Sequence, residues 1–67
     1  MIETNETKQD FEYSTTVRIF FLNDKQRVLK HIKSMDLKKD IAIFKEYSNK
    51  SYFVNIGNVN LLEIEEE

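Results

Sequence analysis

The stretch from Ile41 to Ile56 is the feature that most restricts what this chain can fold into. It reads IAIFKEYSNKSYFVNI, with two apolar runs on either side of Ser48-Asn49-Lys50. Both runs are rich in β-branched and aromatic residues, and such runs around a short polar segment are typical of a β-hairpin. In the second run apolar residues occupy every second position, so one face of the hairpin is apolar. The rest of the chain must cover that face.

A second alternating pattern runs from Phe11 to Leu22. Its odd positions are almost wholly apolar, and they are Phe11, Tyr13, Thr15, Val17, Ile19 and Phe21. A period of two over twelve residues predicts a long strand. Near its end Phe20 and Leu22 are apolar as well, so we expect that end to be covered on both faces.

The segment from Asp24 to Asp36, DKQRVLKHIKSMD, fits two structures. Val28, Leu29, Ile32 and Met35 would form one stripe of a three-turn helix, with Asn23 as its N-cap. The alternative is a second hairpin whose return strand mirrors Ser51–Ile56. We favour the strand, because the segments on both sides have a clear strand pattern and a helix this short is only marginally stable without packing. The predicted fold is therefore all-β, a small five-stranded antiparallel barrel or curled sheet. The alternative is α+β, in the order β-α-β-β-β, with a helix at about 24–36.

Gly57 is the only glycine in the chain, and it lies between two apolar strands. We expect a sharp turn there, with a positive φ angle or a bulge. A last strand follows and ends in glutamates. The predicted organisation is a disordered acidic arm at 1–10, one β-rich domain at 11–64 and an acidic tail at 65–67.

A chain of 67 residues forms one small domain with a limited core. A core of this size rarely supplies more than about 3–5 kcal/mol of stability. The chain has no Cys and a single His, so neither disulfides nor a zinc site of ordinary ligands is available. Further burial must come from self-association or from a partner. We therefore expect a homo-oligomer or a protein partner, no metal and no cofactor.

The charge is unevenly distributed along the chain. The part from Ser14 to Leu62 holds nine Lys or Arg and four Asp or Glu, while the ends hold one Lys and eight acids. Acidic ends either keep a small domain soluble or compete for a basic face.

There is no apolar signal segment, and no run approaches the roughly 20 residues that span a bilayer. We expect a cytoplasmic protein without membrane contact. Abundant Asn, Lys and Ile indicate an AT-rich genome, of a bacterium or its phage.

Positive charge is densest between residues 25 and 39, and this stretch is the candidate nucleic-acid site. Its members are Lys25, Arg27, Lys30, His31, Lys33, Lys38 and Lys39. Either a helix or a strand would place several of them on one face, where they could follow a phosphate backbone. The competing interpretation is a solvated face, since no aromatic residues are interleaved for base stacking.

The aromatic residues give the candidate protein-interaction site. Eight aromatics are more than one side of a small sheet can hide, so we expect an exposed apolar patch. The candidates are Phe20, Phe44, Tyr47 and Phe53.

No combination of nucleophile and base is visible around the single histidine, and no glycine-rich loop could hold a phosphate. We therefore expect no enzymatic activity and no small-molecule substrate.

The spacing of Ile32, Asp36, Asp40, Ile41 and Ile43, together with the later segment Ile56-Gly57-Asn58-Val59, resembles the two motifs of Sm and LSm-like proteins. The likeness covers about residues 16–64 and extends to small SH3-like barrels. It implies a five-stranded barrel and, for Sm-like proteins, RNA binding. Two positions differ from the family pattern: Lys30 stands in place of a glycine, and Asp40 in place of the asparagine that would line the RNA pocket.

Taken together, these patterns predict a small non-enzymatic module that acts by protein–protein interaction, of a regulatory or adaptor type, and carried by a phage or mobile element. The alternative is an Sm-like nucleic-acid-binding protein that uses the basic stretch 25–39.

Overall fold

The structure, a computed structural model, describes residues 7–66 and contains five β-strands and one short 3-10 helix. The elements are β1 (Thr7–Phe21), β2 (Gln26–Leu37), β3 (Ile41–Glu46), β4 (Ser51–Asn55), the 3-10 turn (Ile56–Asn58) and β5 (Val59–Glu66). The all-β prediction is confirmed. The helix alternative at 24–36 is wrong, because β2 occupies that segment.

All five strands form one antiparallel sheet in the order β4-β3-β2-β1-β5. The sheet is not closed, so β4 and β5 form its two edges. The two longest strands, β1 and β2, lie near the centre, and each has two neighbours over part of its length: β1 pairs with β5 from Thr15 to Phe21, and β2 pairs with β3 from Ile32 to Leu37. The expected hairpin is β3–β4, whose register pairs Ile41 with Asn55 and Lys45 with Ser51.

The two long strands must bend. At about 3.3 Å per residue, a straight β1 of 15 residues would measure about 50 Å, yet the longest dimension of the molecule is 34 Å. The register between β1 and β2 shifts twice, between Asp10 and Thr15 and again between Thr15 and Val17. The first half of β2 pairs with the second half of β1, and the second half of β2 lies between the start of β1 and β3.

The bend in β2 is centred on His31, which has a φ angle of 61°. Its carbonyl accepts a hydrogen bond from the Tyr47 amide at 3.1 Å. Left-handed backbone at a non-glycine residue inside a strand is uncommon, and here it coincides with a register shift of the β1–β2 pair. This is a β-bulge, a device that bends a strand and increases its twist.

The core lies between the two halves of the curled sheet. It is made of nine buried apolar residues: Phe11, Val17, Ile19, Leu29, Ile32, Met35, Ala42, Phe44 and Val54. Every strand except β5 supplies at least one of them, and β5 adds Val59 and Leu62, which pack against the cluster while partly exposed.

The turn around Gly57 differs in detail from the expectation. A sharp turn is present, but it is a 3-10 turn and Gly57 does not have a positive φ angle. The Asn55 side chain closes the turn by accepting a hydrogen bond from the Gly57 amide at 2.9 Å. A β-carbon at Gly57 would lie 3.2 Å from the same Asn55 oxygen, so glycine is favoured here by the close approach of its cap.

The strands extend further toward both ends than the sequence indicates. Residues 7–10 belong to β1, where Thr7 pairs with Leu37, so they are not part of a disordered arm. Glu65 and Glu66 belong to β5 and pair with Thr16 and Thr15. Residues 1–6 of the predicted arm, and Glu67 of the predicted tail, lie outside the described residues.

We expect His31→Val to destabilise the fold by about 1–2 kcal/mol, because a β-branched residue is strained in left-handed backbone. The matched control is Lys30→Val, which places the same residue at the neighbouring exposed position of β2. Urea denaturation of both variants measures the difference. Equal stability of the two would show that the bend does not depend on the backbone at position 31.

Candidate binding surfaces

The free edge of β4 presents unpaired backbone groups. The Glu46 amide bonds to the Lys50 carbonyl, and the Ile56 amide bonds to the Asp40 carbonyl, so these hydrogen-bonded pairs frame the β3–β4 ladder. Hydrogen-bonded and non-hydrogen-bonded pairs alternate in an antiparallel ladder. The backbones of Tyr52 and Val54 therefore bond to β3, while the backbone groups of Ser51, Phe53 and Asn55 point away from the sheet.

The same alternation defines the free edge of β5. The Phe21 amide bonds to the Lys25 carbonyl, which directs the backbones of Val17 and Ile19 toward β2. Their neighbours Arg18 and Phe20 then bond to β5. The partners of these two on β5 are Glu63 and Leu61. Leu62 lies between these two partners and Ile64 follows them. The backbone groups of Leu62 and Ile64 consequently point to the open edge.

The two edges differ in charge. No charged residue lies on β4, whose Phe53 side chain is 65% exposed, and Lys50 precedes the strand. Strand β5 carries three glutamates, at positions 63, 65 and 66, beside the exposed Leu61 and Ile64. Charged side chains are one of the means by which proteins protect sheet edges from pairing. By this measure β5 is partly protected and β4 is not.

The four aromatic candidates fall in different environments. Phe44 is fully buried in the core, so it offers no surface to a partner. Phe20 is half-buried beside Leu61 on the outer face of the sheet. Tyr47 lies exposed in the β3–β4 turn, and Phe53 lies exposed on the edge strand. The structure therefore brings Tyr47 and Phe53 to the β4 side of the sheet and places Phe20 on the β5 side.

The seven basic candidates are all exposed, but they do not form one patch. Lys25 precedes β2 and Lys38 and Lys39 follow it, so these residues lie at opposite ends of a bent twelve-residue strand. Arg27 turns toward the inside of the curl, where its guanidinium lies 5.6 Å from the centre of the Tyr52 ring. This cation–π contact joins the start of β2 to the β4 edge strand.

A polar groove of about 340 Å³ crosses four strands of the sheet. Its lining residues are Lys8, Asp10, Lys33, Ser34, Lys45, Glu46, Asn49 and Ser51. Of the seven basic candidates only Lys33 belongs to it. Lys8 and Lys45 were missed because the sequence places them far from the basic stretch. The pairing of Lys45 with Ser51 could be inferred from the hairpin, whereas Lys8 reaches the groove only through the register shifts of β1.

A network of polar side chains is built around Glu46, which lines the groove. Ser48 and Tyr52 each donate a hydrogen bond to its carboxylate, the latter at 3.0 Å. A separate contact lies at the bulge, where the hydroxyl of Ser14 is 3.3 Å from Nδ1 of His31. The hydrogen bond from Ser48, and then that from Tyr52, hold the pKa of Glu46 below its ordinary value of 4.5. Partial burial opposes this shift, while Lys50 and His31 add to it.

Comparisons with protein-family models, with curated proteins and with solved structures returned no match. No helix among residues 7–66 is long and apolar enough to cross a membrane. Among the same residues, no three His, Asp or Glu side chains are grouped as metal ligands would be.

The Glu46 network gives a pH-dependent prediction. Because the folded-state pKa of Glu46 is lowered, its contribution to stability is fully present above pH 4.5 and is lost as the pH falls through the folded-state pKa. We expect Ser48→Ala to move the Glu46 pKa up toward 4.5, and Tyr52→Phe to do so by less. Carbon-13 NMR titration of the Glu46 carboxyl measures both shifts. Ser51→Ala, a nearby serine that does not bond Glu46, is the control, and an equal shift in this variant would contradict the assignment.

Proposed function

We propose that this chain is a small non-enzymatic binding module that assembles with further copies of itself through the open edges of its sheet. The observation that carries the proposal is the pair of unequal edges, a neutral β4 with exposed Phe53 and an acidic β5. An edge strand with unpaired backbone groups is a ready template for another strand. A domain of this size also gains stability by burying surface against a second subunit.

Charge complementarity favours pairing β4 of one copy with β5 of the next. In an antiparallel arrangement, the Lys50 end of β4 lies beside the Glu66 end of β5, and opposite charges across a strand pair are favourable. Pairing β5 with β5 would instead bring two sets of glutamates together. A β4–β5 contact uses two different surfaces, so it is a heterologous contact that forms a ring or a filament according to the rotation between copies.

Repetition of the chain would then provide the regulatory or adaptor role. In such an assembly the outer face of the sheet is displayed many times, and weak contacts repeated on one particle give high avidity. The outer face carries exposed apolar residues, among them Val28. The curled five-stranded sheet is compatible with the small-barrel resemblance of the sequence, which is the finer family assignment we propose.

A nucleic-acid-binding Sm-like protein is the second candidate function. It is favoured by one observation, the exposure of all seven basic residues between 25 and 39. The separation of these residues along β2 weighs against a single continuous phosphate track within one copy. If the copies assemble, the same residues repeat around the particle and could contact a longer strand.

We expect the wild-type chain to have a mass of several times 8.1 kDa in light scattering, and Phe53→Glu to reduce it to a monomer. The substitution removes an apolar edge contact and places a carboxylate opposite the acidic β5, while position 53 is exposed and outside the core. The matched control is Val28→Glu on β2, an exposed position outside both β4 and β5, which should retain the wild-type mass. A wild-type monomer at micromolar concentration would contradict the proposal.

The same experiment with a short random RNA separates the two candidate functions. Binding through phosphate contacts weakens steeply between low and moderate salt, whereas strand pairing with apolar contacts does not. We expect the assembly to be indifferent to RNA at moderate salt. Salt-sensitive RNA binding that is lost in a Lys30→Gln, Lys38→Gln double variant would instead support the nucleic-acid function.

A further inference from the structure

The polar groove brings together three lysines from three different strands. Lys8 comes from β1, Lys33 from β2 and Lys45 from β3. Within residues 7–66, no hydrogen bond or ion pair engages the ammonium group of any of the three. Three cations without anionic partners around one cavity attract an anion from solution.

The register of the sheet fixes the layout of the groove. Asp10, Ser34, Lys45 and Ser51 pair in sequence across four adjacent strands, so they form one row. With neighbouring strands about 4.8 Å apart, this row spans about 14 Å. Lys33 is the extra residue of β2 at the register shift of the β2–β3 pair, between Ile32 and Ser34. Ser34 is only 4% exposed, which makes it the floor of the groove.

The two acids of the groove are not equivalent. Both oxygens of Glu46 already accept hydrogen bonds, from Ser48 and Tyr52, so part of its charge is offset inside the protein. Asp10 has no such donor among the described residues. It lies on β1, two strands away from Lys45. A free carboxylate at this place repels a polyanionic chain and accepts hydrogen bonds from hydroxyl groups.

The volume of the groove matches a small ligand. Small-molecule sites commonly measure about 300–1,000 Å³. This groove lies at the lower end of that range and is lined by ammonium, hydroxyl, amide and carboxylate groups in place of the usual apolar wall. Such a lining favours a ligand that carries charge and hydrogen-bonding groups.

We propose that the groove binds a phosphate monoester that also carries hydroxyl groups, the chemistry shared by sugar phosphates and nucleoside monophosphates. A phosphate monoester carries a charge of about −1.5 to −2 at neutral pH, and Lys33 and Lys45 bind it. Ser34, Ser51 and Asn49 donate hydrogen bonds to its oxygens. Asp10 accepts hydrogen bonds from the hydroxyls at the β1 end of the row. The groove thereby gives the module a soluble ligand in addition to its own copies.

Titration of the full chain with adenosine 5′-monophosphate and with glucose 6-phosphate, followed by amide NMR at moderate salt, tests this site. We expect both compounds to shift the signals of Ser34, Lys45 and Ser51, and adenosine and glucose to leave them unchanged. Lys33→Gln and Lys45→Gln should each weaken binding at least tenfold. Lys25→Gln removes the same charge in the β1–β2 turn, outside the groove, and should leave binding unchanged.

The role of Asp10 has a separate readout. Asp10→Asn should tighten the binding of inorganic phosphate and reduce the preference for glucose 6-phosphate over inorganic phosphate. Thermal melting confirms that each variant is folded, and light scattering shows that its assembly is unaltered.

Three results would overturn the proposal. One is the absence of any shift with either monophosphate at millimolar concentration. Another is an equal loss of binding in Lys25→Gln and Lys45→Gln, which would indicate attraction by overall charge. The third is a single-stranded RNA that binds through the groove lysines while neither monophosphate does.

Discussion

The left-handed backbone at His31 is the constraint on which the shape of this protein depends. Without a bend at this point, a β2 of twelve residues would continue straight, and the two halves of the sheet could not close over one core. The bulge turns the strand, and the Tyr47 amide holds it by bonding to the His31 carbonyl. The bend is therefore anchored to the β3–β4 turn, and the position of the hairpin follows from it.

The curl of the sheet does not pair the two edge strands with each other. Strands β4 and β5 remain at the two ends of the sheet order, each with one row of backbone groups unpaired within the described chain. The contact between Arg27 and Tyr52 ties the β4 edge to the inside of the curl. The bend thus buries the core and sets the relative direction of the two open edges, and the proposed assembly follows from that geometry.

Sequence patterns predicted the hairpin β3–β4 and the long strand β1, because alternation there is regular and apolar. They left β2 ambiguous for a physical reason. Its buried apolar residues are Leu29, Ile32 and Met35, spaced by three, because the bulge at His31 and the extra residue Lys33 each shift the parity of the strand. A spacing of three in a bulged strand imitates the stripe of a helix.

The binding surfaces were less accessible to sequence reasoning. Basic residues adjacent in sequence are spread along a bent strand, whereas the groove lysines come from separate strands. The groove lysines are brought together only by the register between the strands, and the bulges set that register. The sequence pattern does not distinguish Phe44 from Phe53, because both lie in the alternating strands of the hairpin. The neighbouring strands, and not the local pattern, decide which face of the hairpin is covered. The same register predicts which amides of β4 face outward.

Amide hydrogen exchange along β4 is the most direct test of edge-to-edge assembly. In the wild-type protein we expect the amides of Ser51, Phe53 and Asn55 to exchange slowly, comparably to those of Tyr52 and Val54, because a strand from a second copy bonds them. In Phe53→Glu, exchange at positions 51, 53 and 55 should become fast while positions 52 and 54 stay protected by β3. Fast exchange at Ser51, Phe53 and Asn55 in the wild-type protein, at concentrations where assembly is expected, would contradict the account.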